Sequence, residues 1–296
     1  MIKPVRKAVF PVAGMGTRFL PATKSIPKEI MSLVDRPLIQ YAIDEAREAG
    51  ITEFIFVTSR GKSALEDYFD DNPVLEKKLR DGDKNALLAE LERTNMDSGA
   101  IAYVRQKEAL GLGHAVWCAR RLIGDEPFAV LLPDDVIEGQ TGCLKQMVDA
   151  YEQTGGNMVA AMEVAPEQTS SYGVLKVEED MGAIVKVDDM VEKPKQEDAP
   201  SNLAVIGRYI LTPGVLENLS AFERGAGGEI QLTDAIAKET SKSGVYGYRF
   251  RGQRYDCGSK AGFLQATVAF GLSRPDLRDT FKSFLVDILA ESKAAE

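Results

Sequence analysis

Short apolar runs alternate with helical patterns along the first half of the chain, and this alternation restricts the fold more than any other feature. The runs lie at 8–13, 54–58, 101–104, 128–132 and 158–164. Segments such as 37–49 and 142–154 separate them and carry apolar residues at helical spacing. Strands that alternate with helices form a mostly parallel sheet with helices on its faces. The sequence therefore predicts an α/β fold with a mixed, mostly parallel, Rossmann-like sheet.

The second half of the chain has a different rhythm. Shorter strands are predicted at 172–177, 184–188, 203–211 and 245–250, and helices at 213–219, 231–241, 259–272 and 275–291. A chain of 296 residues can form one large domain or two smaller ones, but no linker or internal repeat divides this one. We expect a single domain over 1–272, with a core at about 1–165 and an interwoven lobe at about 166–258. A C-terminal helical tail is predicted at 273–296.

The tail has an amphipathic helical period at 281–289. Docking on a partner subunit and docking on the same chain would both bury its apolar side. We expect a homodimer or homotetramer.

Composition removes several kinds of chemistry. The single histidine, His114, argues against Ser-His-Asp and Cys-His catalysis and against histidine-rich metal sites. Cys118, Cys143 and Cys257 are widely spaced and lack neighbouring histidines, which argues against a disulfide framework and a zinc site. Any catalysis must therefore rest on carboxylates, lysine and arginine, with or without a metal ion such as Mg²⁺.

Charge and hydropathy limit the expected partners and location. The formal net charge is −9 and no basic patch offsets it, so a nucleic-acid partner is not expected. The chain lacks the long apolar run of a membrane span, and its first residues lack the apolar core of a signal peptide. We expect a cytoplasmic protein that binds no membrane.

A glycine-containing loop follows the first predicted strand. Gly14, Gly16 and Arg18 lie at the carboxyl end of that strand, where open α/β sheets bind ligands. The loop lacks both the third glycine of a dinucleotide fingerprint and the Gly-Lys-Ser/Thr of a P-loop. Lys24 and Lys28 follow within ten residues of Arg18 and concentrate positive charge there. A polyphosphate site and a solvated basic loop are the two interpretations of this cluster.

The loop and a series of later motifs together resemble one enzyme family. The chain resembles the sugar-nucleotide pyrophosphorylases, and in particular the bacterial UTP–glucose-1-phosphate uridylyltransferases. The motifs that carry the resemblance are Ala13-Gly14-x-Gly16-Thr17-Arg18, Phe19 to Glu29, Gln106-x4-Gly111-Leu112-Gly113-His114-Ala115, Pro133-Asp134-Asp135, Tyr172-Gly173-Val174, Glu192-Lys193-Pro194, Gly207-Arg208-Tyr209, Gly228 to Ala235 and Tyr255-Asp256-Cys257-Gly258. They follow in order from about residue 6 to residue 272.

The resemblance implies an activity and a fold. It implies a nucleotidyltransferase fold of the glycosyltransferase-A type and transfer of the uridylyl group of UTP to glucose 1-phosphate, assisted by Mg²⁺. Such a transfer depends on alignment and on neutralising charge rather than on histidine. Related chemistry with dTTP or another sugar, and a non-catalytic sugar-nucleotide sensor, are the alternatives.

The residue types fit this chemistry, and the resemblance assigns their roles. Arg18 can bind two phosphate oxygens at once, and Lys28 offers a point charge. Catalytic roles are implied for Arg18, Lys28 and Lys193. Nucleotide contacts are implied for Ala13, Gly14, Gly16, Thr17, Lys24, Gln106, Gly111 and Asp135. Sugar contacts are implied for Gly173, Glu192, Lys193, Gly207 and Glu229, and metal ligation for Asp134 and Asp256.

Several assignments have a structural alternative. Asp135 can equally be a turn former, and His114 is expected to be structural. Glu192 and Lys193 can reach the same site only if the backbone turns between them, because successive strand residues face opposite ways. Gln106 carries both a donor and an acceptor, as an imide edge of a base requires.

Overall fold

The computed structural model describes residues 2–294; the last two residues of the predicted tail lie outside them. Eleven α-helices are present in this range: α1 Leu38–Glu48, α2 Ser63–Phe69, α3 Pro73–Asp81, α4 Asn85–Glu92, α5 Leu112–Cys118, α6 Arg120–Ile123, α7 Cys143–Thr154, α8 Pro213–Leu219, α9 Leu232–Ala237, α10 Lys260–Ser273 and α11 Arg278–Ala294. None of the helices described within 2–294 combines the length and apolar character needed to cross a bilayer.

The nine strands of the main sheet follow the predicted pattern closely, and four shorter strands were not predicted. They are β1 Lys7–Pro11, β2 Ser32–Leu33, β3 Arg36–Pro37, β4 Glu53–Thr58, β5 Ile101–Arg105, β6 Phe128–Leu131, β7 Asp135–Glu138, β8 Asn157–Glu163, β9 Gly173–Asp180, β10 Ile184–Glu192, β11 Leu203–Leu211, β12 Val245–Arg249 and β13 Gln253–Asp256. Short 3₁₀ turns at Thr17–Phe19, Ala22–Lys24 and Lys28–Ile30 shape the loop after β1.

One nine-stranded sheet runs through both halves of the chain. Its order is β5-β4-β1-β6-β11-β8-β12-β10-β9. Strands β10 and β11 run opposite to the others, as their antiparallel pairings show. This is the mixed, mostly parallel sheet that the sequence predicted.

Helices cover both faces of the sheet. Val9 packs on one side with Val116 of α5 and Leu232 of α9. The next residue, Phe10, packs on the other side with α1 and α7. Adjacent residues of a central strand are thus buried on opposite faces, which explains why the run at 8–13 is apolar throughout.

The carboxyl ends of β5, β4, β1 and β6 meet at one edge of the sheet. Backbone hydrogen bonds extend this alignment beyond the strands: Val12 N donates to Val57 O at 2.9 Å, and Gln106 N donates to Thr58 O at 2.9 Å. The edge therefore collects the loop after β1, Gln106 and the Pro133-Asp134-Asp135 turn.

A two-stranded ribbon outside the main sheet was not predicted. β7 pairs antiparallel with β13, and Asp135 lies opposite Asp256. Each strand has four residues. Segments this short lack a readable period, and their pairing joins distant parts of the chain. The ribbon brings the turn after β6 to the Tyr255-Asp256-Cys257-Gly258 motif.

Candidate active site

The loop after β1 folds tightly around Gly16. Gly16 has φ 65°, a left-handed conformation, and its carbonyl accepts a hydrogen bond from Thr23 Oγ1 at 2.8 Å. A Cβ at this position would lie 3.2 Å from Lys28 Cβ. Glycine therefore lets the two basic turns of the loop pack closely. The side chain of Arg18 extends from this loop and donates from Nη1 to Gly258 O at 3.4 Å.

Lys28 and Asp134 form an ion pair close to Arg18. Lys28 Nζ lies 2.5 Å from Asp134 Oδ2. Burial would raise the pKa of Asp134, but the Lys28 ammonium, its hydrogen bond and Arg18 hold that pKa below its usual range. Burial would lower the pKa of Lys28, yet Asp134 and Glu29 raise it. Both groups are therefore charged at neutral pH.

Asp134 and Asp256 face the same small space beside Gly258. A Cβ at Gly258 would lie 2.8 Å from Asp134 Oδ2, 3.1 Å from Asp256 Oδ1 and 3.6 Å from Arg18 Nη1. Backbone hydrogen bonds hold this turn: Cys257 N donates to Asp134 O at 2.7 Å, and Gly258 N donates to Asp256 Oδ1 at 3.0 Å. The glycine leaves open a cradle that two carboxylate oxygens border.

This donor set fits a hard divalent cation. Within residues 2–294, no three His, Cys, Asp or Glu side chains form a group that could hold a metal. An ion at Asp134 and Asp256 would therefore draw its other ligands from phosphate oxygens and water, which is how Mg²⁺ is usually bound.

The turn expected at Glu192-Lys193 is present. β10 ends at Glu192, and Lys193 has φ 48°, so the chain leaves the strand there. Glu192 Oε2 accepts a hydrogen bond from Thr233 Oγ1 at 2.6 Å, and Lys193 Nζ lies 3.3 Å from Glu192 Oε1. A Cβ at Gly173 would lie 3.2 Å from Glu192 Oε2. Both charged side chains consequently border one cavity.

That cavity has a volume of about 470 Å³. It lies between the Asp134 and Asp256 carboxylates and the Glu192-Lys193 turn. Of the predicted site residues, its lining includes Arg18, Asp134, Asp135, Gly173, Glu192, Lys193, Gly207 and Asp256. Its lining also includes Tyr172, Tyr209, Thr233 and Arg254. Of these four, Tyr172, Tyr209 and Thr233 lie within the quoted motifs, and Arg254 immediately precedes one.

The other predicted residues lie outside this lining. Ala13, Gly14, Gln106 and Gly111 lie at the adjoining edge of the sheet, and Ser59 Oγ donates to Ala13 O at 2.9 Å. Thr17 and Lys24 are exposed on the loop after β1.

Glu229 lies away from the cavity in which we expected it. Its side chain is exposed, and a Cβ added at Gly111 would lie only 2.7 Å from Glu229 Cβ. Gly111 has φ 107°, and the chain at Ile230 donates from N to Leu110 O at 2.7 Å. Packing of the 225–231 segment against Gly111 places Glu229 on the Gln106 side of the site. Its contact with the sugar stays a prediction.

The environment of Asp135 favours the structural alternative. Its Oδ2 accepts from Gly207 N at 2.9 Å, and its Oδ1 accepts from Arg254 Nε at 2.6 Å. Arg254 Nη1 in turn donates to Tyr172 OH at 2.8 Å. Both carboxylate oxygens are thus engaged within the protein. Asp135 joins β11, β13 and the Tyr172 loop, while its contact with a nucleotide stays a prediction.

The sequence did not predict a buried ion pair between Arg208 and Glu45, next to the cavity. Arg208 is 1% exposed and donates from Nε and Nη2 to the carboxylate of Glu45 at 3.0 and 2.8 Å. It also donates to the carbonyls of Leu132 and Asp135, which flank Asp134. Glu45 lies on the apolar stripe of α1, and a carboxylate on such a stripe signals a buried partner.

Comparison with known proteins places the chain among nucleotidyl transferases. The model of the nucleotidyl transferase family matches residues 7–271. A UTP–glucose-1-phosphate uridylyltransferase of Komagataeibacter xylinus is 56% identical over 260 residues, which are 88% of this chain and 92% of the relative.

Two solved structures are similar over almost the whole fold. A UDP-glucose pyrophosphorylase complexed with UDP-glucose has a TM-score of 0.84 and 46% identity, with coverage of 91% of this chain and 100% of that one. A UTP-bound enzyme of this type from Acinetobacter baumannii has a TM-score of 0.88 and 42% identity, with coverage of 95% and 99%. The chain belongs to the nucleotidyl transferase family and, within it, to the UTP–glucose-1-phosphate uridylyltransferases.

Proposed function

We propose that the protein transfers the uridylyl group of UTP to glucose 1-phosphate. A phosphate oxygen of the sugar phosphate attacks the α-phosphorus of UTP, the bond to the β-phosphate breaks, and pyrophosphate leaves. The products are UDP-glucose and pyrophosphate. The relatives that bear this activity in their names cover nearly the whole chain.

The observation that carries the proposal is the convergence of opposite charges around one cavity. Arg18, Lys28 and Lys193 supply cations, and Asp134 and Asp256 supply carboxylates that border a shared cradle. In-line phosphoryl transfer needs this kind of arrangement, because catalysis comes from positioning and from neutralising charge.

The proposed roles follow from placement. Arg18, which borders the cradle, binds phosphate oxygens of the triphosphate. Lys28 adds a second positive charge to the same region. Across the cavity, Glu192 accepts hydrogen bonds from sugar hydroxyls and Lys193 binds the sugar phosphate. The core at 1–165 would hold the nucleotide and the lobe at 166–258 the sugar.

We infer that Asp134 and Asp256 hold a divalent ion, and Mg²⁺ suits their hard oxygen donors. Such an ion would neutralise charge on the triphosphate as the pyrophosphate departs. The two residues lie far apart in the sequence but close together through the β7–β13 ribbon.

We also propose a cytoplasmic homodimer or homotetramer. Cys118, Cys143 and Cys257 are free thiols, which suits a reducing compartment. Leu264 of α10 and Phe284, Val286 and Leu289 of α11 are exposed, and they support burial of these helices against another copy of the chain.

Pyrophosphate release tests the reaction directly. The purified protein is incubated with Mg²⁺, glucose 1-phosphate and each nucleoside triphosphate in turn. We expect release with UTP and little with the others. Absence of release with every triphosphate would refute the enzymatic role, and a preference for dTTP would refute the uridylyl assignment.

Replacement of Glu192 by glutamine tests the sugar side. Hydrogen bonds to a charged group contribute about 1.5–3 kcal/mol, so the KM for glucose 1-phosphate should rise about 10- to 150-fold. The KM for UTP should change little, because the nucleotide is proposed to bind on the other side of the cavity. Glu197→Gln, on the exposed loop after β10, serves as the matched control. Equal changes in both KM values would contradict the assignment.

A further inference from the structure

The side-chain amide of Gln106 is held in one orientation by a backbone carbonyl. Gln106 Nε2 lies 3.1 Å from Gly111 O. A carbonyl oxygen only accepts hydrogen bonds, so the amide atom that faces it must be the nitrogen. Gly111 O also accepts from Ala115 N at 3.2 Å in the first turn of α5, so the helix fixes the carbonyl itself.

The second hydrogen of the same nitrogen points to His114. Gln106 Nε2 lies 3.1 Å from His114 Nδ1. Because Gln106 Nε2 can only donate, His114 Nδ1 must be the unprotonated acceptor. The ring proton of His114 then resides on His114 Nε2, which lies 3.8 Å from Cys118 Sγ. Burial raises the pKa of the Cys118 thiol, so the sulfur is neutral and can accept weakly.

The imidazole is held firmly enough to serve as a fixed acceptor. His114 is 8% exposed, and its ring stacks on that of Trp117 with centroids 6.0 Å apart. Phe222 lies at the same centroid distance on a tilted plane. The rotation of the ring is therefore restricted by aromatic packing, and the tautomer is set by the amide it faces.

We propose that His114 is a positioning residue that locks the Gln106 amide, so that Gln106 presents only its Oε1 oxygen to the nucleotide base. Both amide hydrogens are used within the protein, so Gln106 does not offer the base the donor that its residue type had led us to expect, and a pure acceptor remains at the end of β5. The consequence for the base rests on the function proposed above, in which Gln106 lies against the base.

A side chain that offers the base only an acceptor selects bases by whether their N3 carries a hydrogen. Uracil and thymine carry a hydrogen on N3 that Oε1 can accept. Cytosine has a lone pair on N3, which would face the lone pairs of Oε1. The device thus discriminates against CTP, and it does not distinguish uracil from thymine, because the 5-methyl group of thymine leaves N3 unchanged.

The tautomer can be measured without any reference to activity. Because the chain has a single histidine, long-range ¹H–¹⁵N correlation spectra of the full-length protein report on His114 alone. We expect a pyridine-type Nδ1 and a protonated, pyrrole-type Nε2 at neutral pH. A protonated Nδ1, in either a neutral or a charged ring, would overturn the proposal.

Two substitutions at the same position test the effect on base choice. His114→Leu removes the acceptor, and His114→Asn retains an acceptor oxygen near the place of Nδ1. We expect His114→Leu to lower the ratio of kcat/KM for UTP to that for CTP about tenfold, which corresponds to about 1.4 kcal/mol. The change should lie in KM, with kcat nearly constant.

His114→Asn should restore most of that ratio, and the ratio of UTP to dTTP should stay constant in both variants. If His114 had a merely structural role, the substitution would lower kcat/KM for UTP, CTP and dTTP by the same factor. A folded His114→Leu protein with the parental UTP-to-CTP ratio would overturn the proposal. If the parent released no pyrophosphate from any triphosphate, the proposed function would fail, and the spectra would still decide the orientation of the amide.

Discussion

Asp256→Asn is expected to reduce turnover about 10²- to 10³-fold, the cost of removing one group that stabilises transition-state charge in an active site. The asparagine keeps an oxygen that can accept from Gly258 N, as Asp256 Oδ1 does at 3.0 Å. The fold should therefore persist while one of the two negative charges at the cradle, that of residue 256, is lost. The Mg²⁺ concentration needed for half-maximal activity should rise as well.

The experiment compares rates of pyrophosphate release across a Mg²⁺ titration with thermal unfolding of the same samples. Asp198→Asn, in an exposed turn far along the chain from the cradle, is the matched control and should keep parental values. If Asp256→Asn kept both the rate and the Mg²⁺ requirement, Asp256 would not be a metal ligand.

Arg208→Met should cause the largest loss of stability, about 3–5 kcal/mol in the free energy of unfolding. Arg208 and Glu45 are 1% and 8% exposed, so the substitution leaves a buried carboxylate without its counterion. The carbonyls of Leu132 and Asp135 lose a donor at the same time. Since these carbonyls flank Asp134, activity should fall together with stability.

Urea unfolding measures this loss. The double variant Glu45→Leu, Arg208→Met should recover part of it, because no unpaired buried charge remains. Arg249→Met, which breaks a more exposed pair with Asp180, should cost at most about 1 kcal/mol. A loss below about 1 kcal/mol for Arg208→Met would mean that the buried pair does not stabilise the fold.

Most of the strand and helix pattern could be predicted from local periodicity. The predicted strand at 203–211 and helix at 213–219 coincide with β11 and α8, and the turn at Lys193 was expected from the need to orient two adjacent side chains. Such predictions succeed because a central strand and an amphipathic helix leave their periods in the sequence.

The candidate site was predictable only in part. Charged residues in motifs could be identified, but their partners could not. The sequence did not predict that Arg254 and Gly207 engage both oxygens of Asp135, or that Glu229 lies beside Gly111. The contacts of Asp135 with the nucleotide and of Glu229 with the sugar stay predictions. A residue type states which bonds a side chain can make, and the fold decides which neighbours make them.

The sequence by itself determined the alternation of strands and helices, the glycine-rich basic loop at the end of β1, and a chemistry that rests on carboxylates and cations with a single histidine. These features depend on residues within a few positions of one another. The tertiary structure alone decided that Asp134 and Asp256 share a cradle, that Arg208 neutralises Glu45, and that His114 faces the Gln106 amide. The first two are contacts between segments brought together by strand order, for which local periodicity carries no signal, and the third depends on how α5 begins at Gly111 beside the end of β5.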